Sequence, residues 1–155
     1  MLNRKQFAQA IMDILSRAPR PNMLSSAAVN MLIFTAATES LGGTYITQVI
    51  GPAMGVFQME PATCRDIERR APADLQAWLI GLRDGNDHGY ALRFHLDYAI
   101  AAARVHYYLF KEALPESVDI AGQARYWKKY WNTVAGSGTE EQAVKNFNLY
   151  LERAL

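Results

Sequence analysis

The chain has 155 residues, half of them hydrophobic and a fifth charged, with a formal net charge of +1. That composition excludes intrinsic disorder and fits one domain with one core. Near-neutrality argues against a protein built mainly to hold nucleic acid or an anionic membrane. The charge is unevenly spread. Of the 31 charged side chains, a single one, Glu39, falls in the 39 residues from Pro21 to Met59.

Pro21, Asn22, Ser25, Ser26 and Asn30 interrupt this stretch before Glu39, and Gly42, Gly43, Gln48, Gly51 and Pro52 interrupt it afterwards. No apolar run is long enough to cross a bilayer, and no transmembrane segment is expected. Met1–Ser16 alternates polar and apolar residues and lacks the continuous apolar stretch of a secretory leader. A single cysteine, Cys64, leaves no internal disulfide to form.

In chain order, Phe7, Ile11, Ile14 and Leu15 fall on one stripe of an amphipathic helix, with Asn3 as its cap and Pro19 and Pro21 beyond its end. A second helix over Ala27–Thr38, capped by Ser25 or Ser26, is apolar on every face, the pattern of a helix buried on all sides. Gly42-Gly43 ends it, which puts Glu39 in its last turn or just past it. Thr44–Ile50 is β-branched and aromatic, consistent with a short strand or extended loop.

Pro61 opens a helix through Arg70, and Asp74–Arg83 reads as another, followed by a turn at residues 84–89. One long helix is expected over Leu92–Ala113 and an aromatic-rich one over Ser117–Trp131. Thr139-Glu140-Glu141-Gln142 is a capping box for the last helix. There is no repeat or linker, so residues 1–155 form a single domain on this reading.

Glu39 is the strongest chemical signal. No cation lies within 18 residues before it or 20 after it in the sequence. A carboxyl at the end of a buried helix is expected to hold its proton, because desolvation and the negative end of the helix dipole both oppose ionisation. Such a group serves as a general acid in glycoside cleavage. The alternatives are a glutamate that surfaces at the helix end, or one paired with an arginine distant in sequence.

Thr38-Glu39-Ser40, followed by Gly51-Pro52-Ala53-Met54-Gly55-Val56-Phe57-Gln58-Met59-Glu60-Pro61-Ala62-Thr63, resembles the motifs of the soluble lytic transglycosylase family of the lysozyme-like superfamily. Ala53, Gly55 and Gln58 match its Gly-Ala-x-Gly-Leu-Met-Gln segment, and Pro61 and Thr63 its Pro-x-Thr ending. Ala99–Leu109 resembles the third helical motif, and Tyr130-Trp131-Asn132-Thr133, with Gly136 and Gly138, loosely resembles the Tyr-Asn-Ala-Gly motif.

The resemblance implies a mainly α or α+β lysozyme-like fold, with a buried central helix and a short extended or β loop region. It implies a lyase that cleaves the β-1,4 bond between N-acetylmuramic acid and N-acetylglucosamine in peptidoglycan. The catalytic residue would be Glu39. Ser40, Gln48, Gly55, Phe57, Gln58, Tyr107, Tyr130 and Asn132 would contact substrate. Gln58 carries both a donor and an acceptor, and Gly55 allows backbone to approach a sugar closely. The tyrosine that hydrogen-bonds Glu39 is Tyr130 or another, because Tyr130 stands one place early. Gln48 is the polar substitute for a serine that commonly precedes the glycine motif. No metal or organic cofactor is implied. Glycan strands are the expected partner, with virion proteins in a bacteriophage setting, bacteriolytic action, and delivery to the cell wall without a cleavable leader.

No second carboxylate occurs in residues 40–59, which favours a substrate-assisted route to 1,6-anhydro products over hydrolysis. Glu60, at a helix start, is better read as a cap or dipole residue. The alternatives are a hydrolytic muramidase using Asp87 or Asp97, and a non-catalytic virion or peptidoglycan-binding protein. Asp84-x-Asn86-x-His88-Gly89 matches half a calcium loop but has His95 where glutamate is required, and reads as a polar turn. His95 and His106 lie on one helical face about 16 Å apart, too far to share a metal. Arg69-Arg70 and Lys128-Lys129 read as solvated faces.

Overall fold

A computed structural model describes residues 1–155 as eight α-helices with almost no extended structure. Helix α1 spans Arg4–Leu15 and buries Phe7, Ile11 and Leu15, with the Asn3 side chain accepting from the Gln6 amide. A 3₁₀ turn at Pro21–Met23 leads into α2, Ser26–Ser40, whose cap is Ser25. Ten of the fifteen α2 residues are buried, from Ala28 to Ser40, so the helix has no polar face, as its sequence pattern requires. It packs on α1 and on three helices from later in the chain, over Leu96–Tyr108, Ile120–Trp127 and Glu140–Arg153. The helix closes through left-handed backbone at Leu41, Gly42 and Gly43.

Residues 41–60 form a loop with two isolated antiparallel bridges, Thr47 with Met54 and Met54 with Met59, rather than a strand. The β-branched residues expected to extend there are mostly exposed, and no neighbouring chain segment offers a ladder. Helix α3, Pro61–Arg70, begins at the expected proline, and α4 covers Ala73–Arg83.

The single long helix expected over Leu92–Ala113 is two: α5, His88–Phe94, and α6, Leu96–Tyr108. The chain breaks at His95, which leaves helical geometry (φ −108°, ψ 94°), and its ring Nδ1 meets the Leu82 carbonyl at 3.2 Å. Asp87 caps α5 by accepting from the Tyr90 amide, so the expected polar turn runs directly into a helix. Ala99, Ala101, Ala102 and Ala103 are all buried, so α6 can pack closely against α1, α2, α3, α4 and α5.

Helix α7, Ile120–Trp127, is shorter than expected and passes into a π-helical turn at Lys128–Asn132. Helix α8, Glu140–Arg153, starts at Thr139, whose hydroxyl accepts from the Gln142 amide. No helix is long and apolar enough to cross a membrane.

Candidate active site

Glu39 lies in the last turn of α2 and is partly buried. Its Oε1 accepts a 2.8 Å hydrogen bond from the indole Nε1 of Trp127, at the end of α7. Desolvation raises its pKa to about 7, and the Trp127 bond opposes that rise without cancelling it. No lysine or arginine pairs with the carboxyl, so the reading of Glu39 as one half of a distant ion pair does not hold. A carboxyl with this pKa is partly protonated at neutral pH and can both give and take a proton.

Glu39 stands between two depressions. One, of about 190 Å³, is lined by Glu39, Gln58, Met59, Glu60, Thr63, His106, Trp131 and Asn132. The other, of about 510 Å³, is lined by Glu39, Tyr45, Thr47, Gln48, Val49, Ile50, Ala53 and Gln58. Glu39 and Gln58 belong to both, and neither lining contains a lysine or arginine. The two hollows flank one carboxyl, an arrangement suited to a chain molecule that extends to both sides of it.

Gln58 is a non-glycine residue with left-handed backbone (φ 48°). Its Nε2 donates to the Gly55 carbonyl at 2.8 Å and to the Tyr45 carbonyl at 3.3 Å, tying both arms of the loop together. Gln48 borders the larger hollow, where its Oε1 accepts from the Ala53 amide. Asn132 lines the smaller hollow and accepts through Oδ1 from Lys128 Nζ at 2.6 Å. Lys128 also reaches the Gly136 carbonyl, so it is a fastener of this loop rather than a solvated face.

Five expected substrate contacts take positions outside both hollows. Ser40 is buried; its hydroxyl meets the Val56 carbonyl at 2.6 Å and accepts from the Gly43 amide, pinning the glycine loop to the end of α2. Phe57 and Tyr107 are buried in the core, and the Tyr107 hydroxyl pairs with Thr35 Oγ1 at 2.8 Å. Gly55 is required by the protein's own packing: at φ +77°, a Cβ there would lie 2.0 Å from the Leu92 carbonyl oxygen. Tyr130 turns its hydroxyl to Glu112, away from Glu39, and lines neither hollow.

The partner of Glu39 is therefore a tryptophan, not a tyrosine. Trp127 is buried, and Gly138 packs against it so tightly that a Cβ there would lie 2.7 Å from the indole. Sequence spacing gives no hint of this contact, which joins residues 88 apart. His106 was also outside the expected site, although it lines the smaller hollow. Glu60 occupies the cap position of α3 without a capping side-chain bond and borders that same hollow. Asp87 and Asp97 are committed to the amides of Tyr90 and Tyr98 and line neither hollow.

No protein-family model matches the chain, and no curated protein or solved structure matches it significantly.

Proposed function

We propose that the chain is a lysozyme-like peptidoglycan lytic transglycosylase, with α2 as its central helix and Glu39 as the general acid and base. One observation carries the reading: a carboxyl raised to about 7, free of cations, sits between two hollows that together make a groove. The motif resemblance around Glu39 and Gln58 names the substrate; the groove supplies the geometry that such a substrate needs.

In this mechanism protonated Glu39 gives its proton to the glycosidic oxygen leaving N-acetylmuramic acid, and the C1–O bond breaks. The acetamido group, or an oxocarbenium-like state, carries the developing charge. Glu39, now a carboxylate, takes the proton of the C6 hydroxyl as its oxygen bonds to C1. The product is a 1,6-anhydromuramic end, and Glu39 is returned protonated with no water consumed. On this reading the partner is a glycan strand, and a bacteriophage virion is the setting that the resemblance implies.

Glu60 supports a second reading. It is a carboxylate on the same hollow as Glu39, so a water held by Glu60 would make the reaction hydrolytic. Mass analysis of products from purified peptidoglycan separates the two readings. Transglycosylation gives muropeptides one water lighter than hydrolysis, and Glu60→Gln leaves their yield nearly unchanged. Hydrolytic products that vanish in Glu60→Gln would establish the second reading. A wild-type chain that releases nothing would overturn both.

A further inference from the structure

His106 sits near the end of α6 and lines the smaller hollow together with Glu39. Its Nε2 lies 2.9 Å from the Tyr130 carbonyl. A carbonyl can only accept, so Nε2 carries the proton and Nδ1 presents a lone pair. The ring is held edge-on by Trp131 at 5.0 Å and by Phe110 at 5.3 Å between centroids. Nδ1 is buried and has no hydrogen-bond partner.

Buried acceptors are seldom left unpaired, because burial removes water without replacing it. Four side chains carry such an orphaned atom, Thr38, Arg93, His106 and Gln123, whereas the buried Nε2 of His88 lies 3.1 Å from Glu68. Only His106 lines a hollow that contains Glu39. The carbonyl that fixes its ring comes from the π-helical turn Lys128–Asn132, which also brings Trp131 and Asn132 to the same hollow. Such turns interrupt regular helices and recur at functional sites.

We propose that His106 is a substrate-positioning residue whose Nδ1 accepts a hydrogen bond from a hydroxyl or acetamide N–H of the sugar seated against Trp131 and Asn132. This rests on the glycan-cleaving reading of the groove. Nδ1 is closed to bulk water without ligand, so contact with a sugar requires the side chains around it to part. Burial, and to a smaller degree the charge of Arg70, favours the neutral ring, while the bond to Tyr130 opposes this; the balance holds His106 below its ordinary pKa, and Nδ1 keeps its lone pair at neutral pH.

Two substitutions divide the ring's functions. His106→Gln can keep a donor where Nε2 meets the Tyr130 carbonyl but has no acceptor at the Nδ1 position. His106→Asn keeps an acceptor near Nδ1 and loses the tether. The proposal expects His106→Gln to raise KM on peptidoglycan about tenfold with a smaller change in kcat, and His106→Asn to retain more affinity. A His106→Gln enzyme with wild-type KM, or a His106→Asn enzyme equally impaired, would overturn it.

A second measurement needs no variant. Nitrogen-15 NMR of the wild-type imidazole is followed while a soluble β-1,4-linked N-acetylglucosamine tetramer is added. The Nδ1 resonance is expected to move towards its hydrogen-bonded position. Movement of the Trp127 indole N–H without movement of Nδ1 would overturn the role of His106 and leave the groove assignment standing. No movement of either, with no peptidoglycan cleavage, would bring down the groove assignment and this proposal together.

Discussion

Two glutamates in this chain are withdrawn from water, and their surroundings drive them in opposite directions. Glu39 comes from the charge-poor stretch and accepts one neutral indole N–H, so desolvation prevails and its pKa rises to about 7. Glu68, in α3, is 7% exposed, yet its pKa is lowered. Desolvation is again the largest single influence, but here it is outweighed. Arg83 holds the carboxylate through Nε at 2.8 Å, Tyr98 donates its hydroxyl at 2.9 Å, and His88 lies 3.1 Å away. Burial alone does not decide the direction of a carboxyl's pKa; without a cation it raises the value, and with one it can be outweighed. Glu68 instead joins α3 to α4, α5 and α6, of which α3 and α6 supply Thr63 and His106 to the smaller hollow.

The largest expected effect comes from removing the proposed proton donor. Glu39→Gln should lower muropeptide release by about 10³-fold, within the range typical of a lost general acid, while the fold is retained or stabilised. Retained activity in this variant would show that the two carboxyls do not differ in the way proposed. Glu68→Ala should do the reverse, destabilising the fold by about 3 kcal/mol in urea unfolding because the Arg83 charge loses its partner. Its effect on kcat should be small wherever the chain remains folded.

The pH dependence of stability sharpens the contrast. Glu39 ionises near 4.5 in the unfolded chain and near 7 in the folded one. Within that window the folded chain binds more protons, so the Glu39 contribution to stability falls as pH rises, then flattens above 7. For Glu68 the folded pKa is the lower one, so its contribution is present above the unfolded value and is lost as pH falls through the folded value. Urea midpoints from about pH 4 to about pH 8 should show that Glu39→Gln removes the decline towards neutrality and leaves the acid-side loss intact. A variant whose profile overlays the wild type would refute the assignment.

Trp127→Phe is expected to have the smallest effect of the set. It keeps an aromatic ring but removes the N–H that favours the ionised form of Glu39. The alkaline limb of the activity profile should shift upward, and kcat should fall about tenfold as the carboxyl loses its anchor. An unshifted limb would mean that the indole contributes nothing to the titration.

Glu39 was legible in the sequence because a lone charge in a stretch of 39 residues is visible without any fold. Gln58 was legible as a polar residue within an apolar run. The ends of α2 and α3 followed from local chemistry, the glycines after Ser40 and the proline at residue 61. The contacts of Glu68 were not legible, since its partners lie 15, 20 and 30 residues away on three other helices. Nor was the break at His95, because the apolar stripe runs through it and the contact of its ring with the Leu82 carbonyl is tertiary. Trp127 was visible as an aromatic but not as a partner, and Gly55 suited a sugar contact as well as the Leu92 carbonyl it meets.

The most direct test of the central claim is the titration of Glu39 itself, followed through its side-chain carboxyl carbon by carbon-13 NMR, with Glu39→Gln used to assign the resonance. The account predicts a midpoint near 7 for this carboxyl, with Glu68 titrating below the ordinary value of 4.5. A Glu39 midpoint at or below 4.5 would contradict it, because the carboxyl would then hold no proton to give at neutral pH.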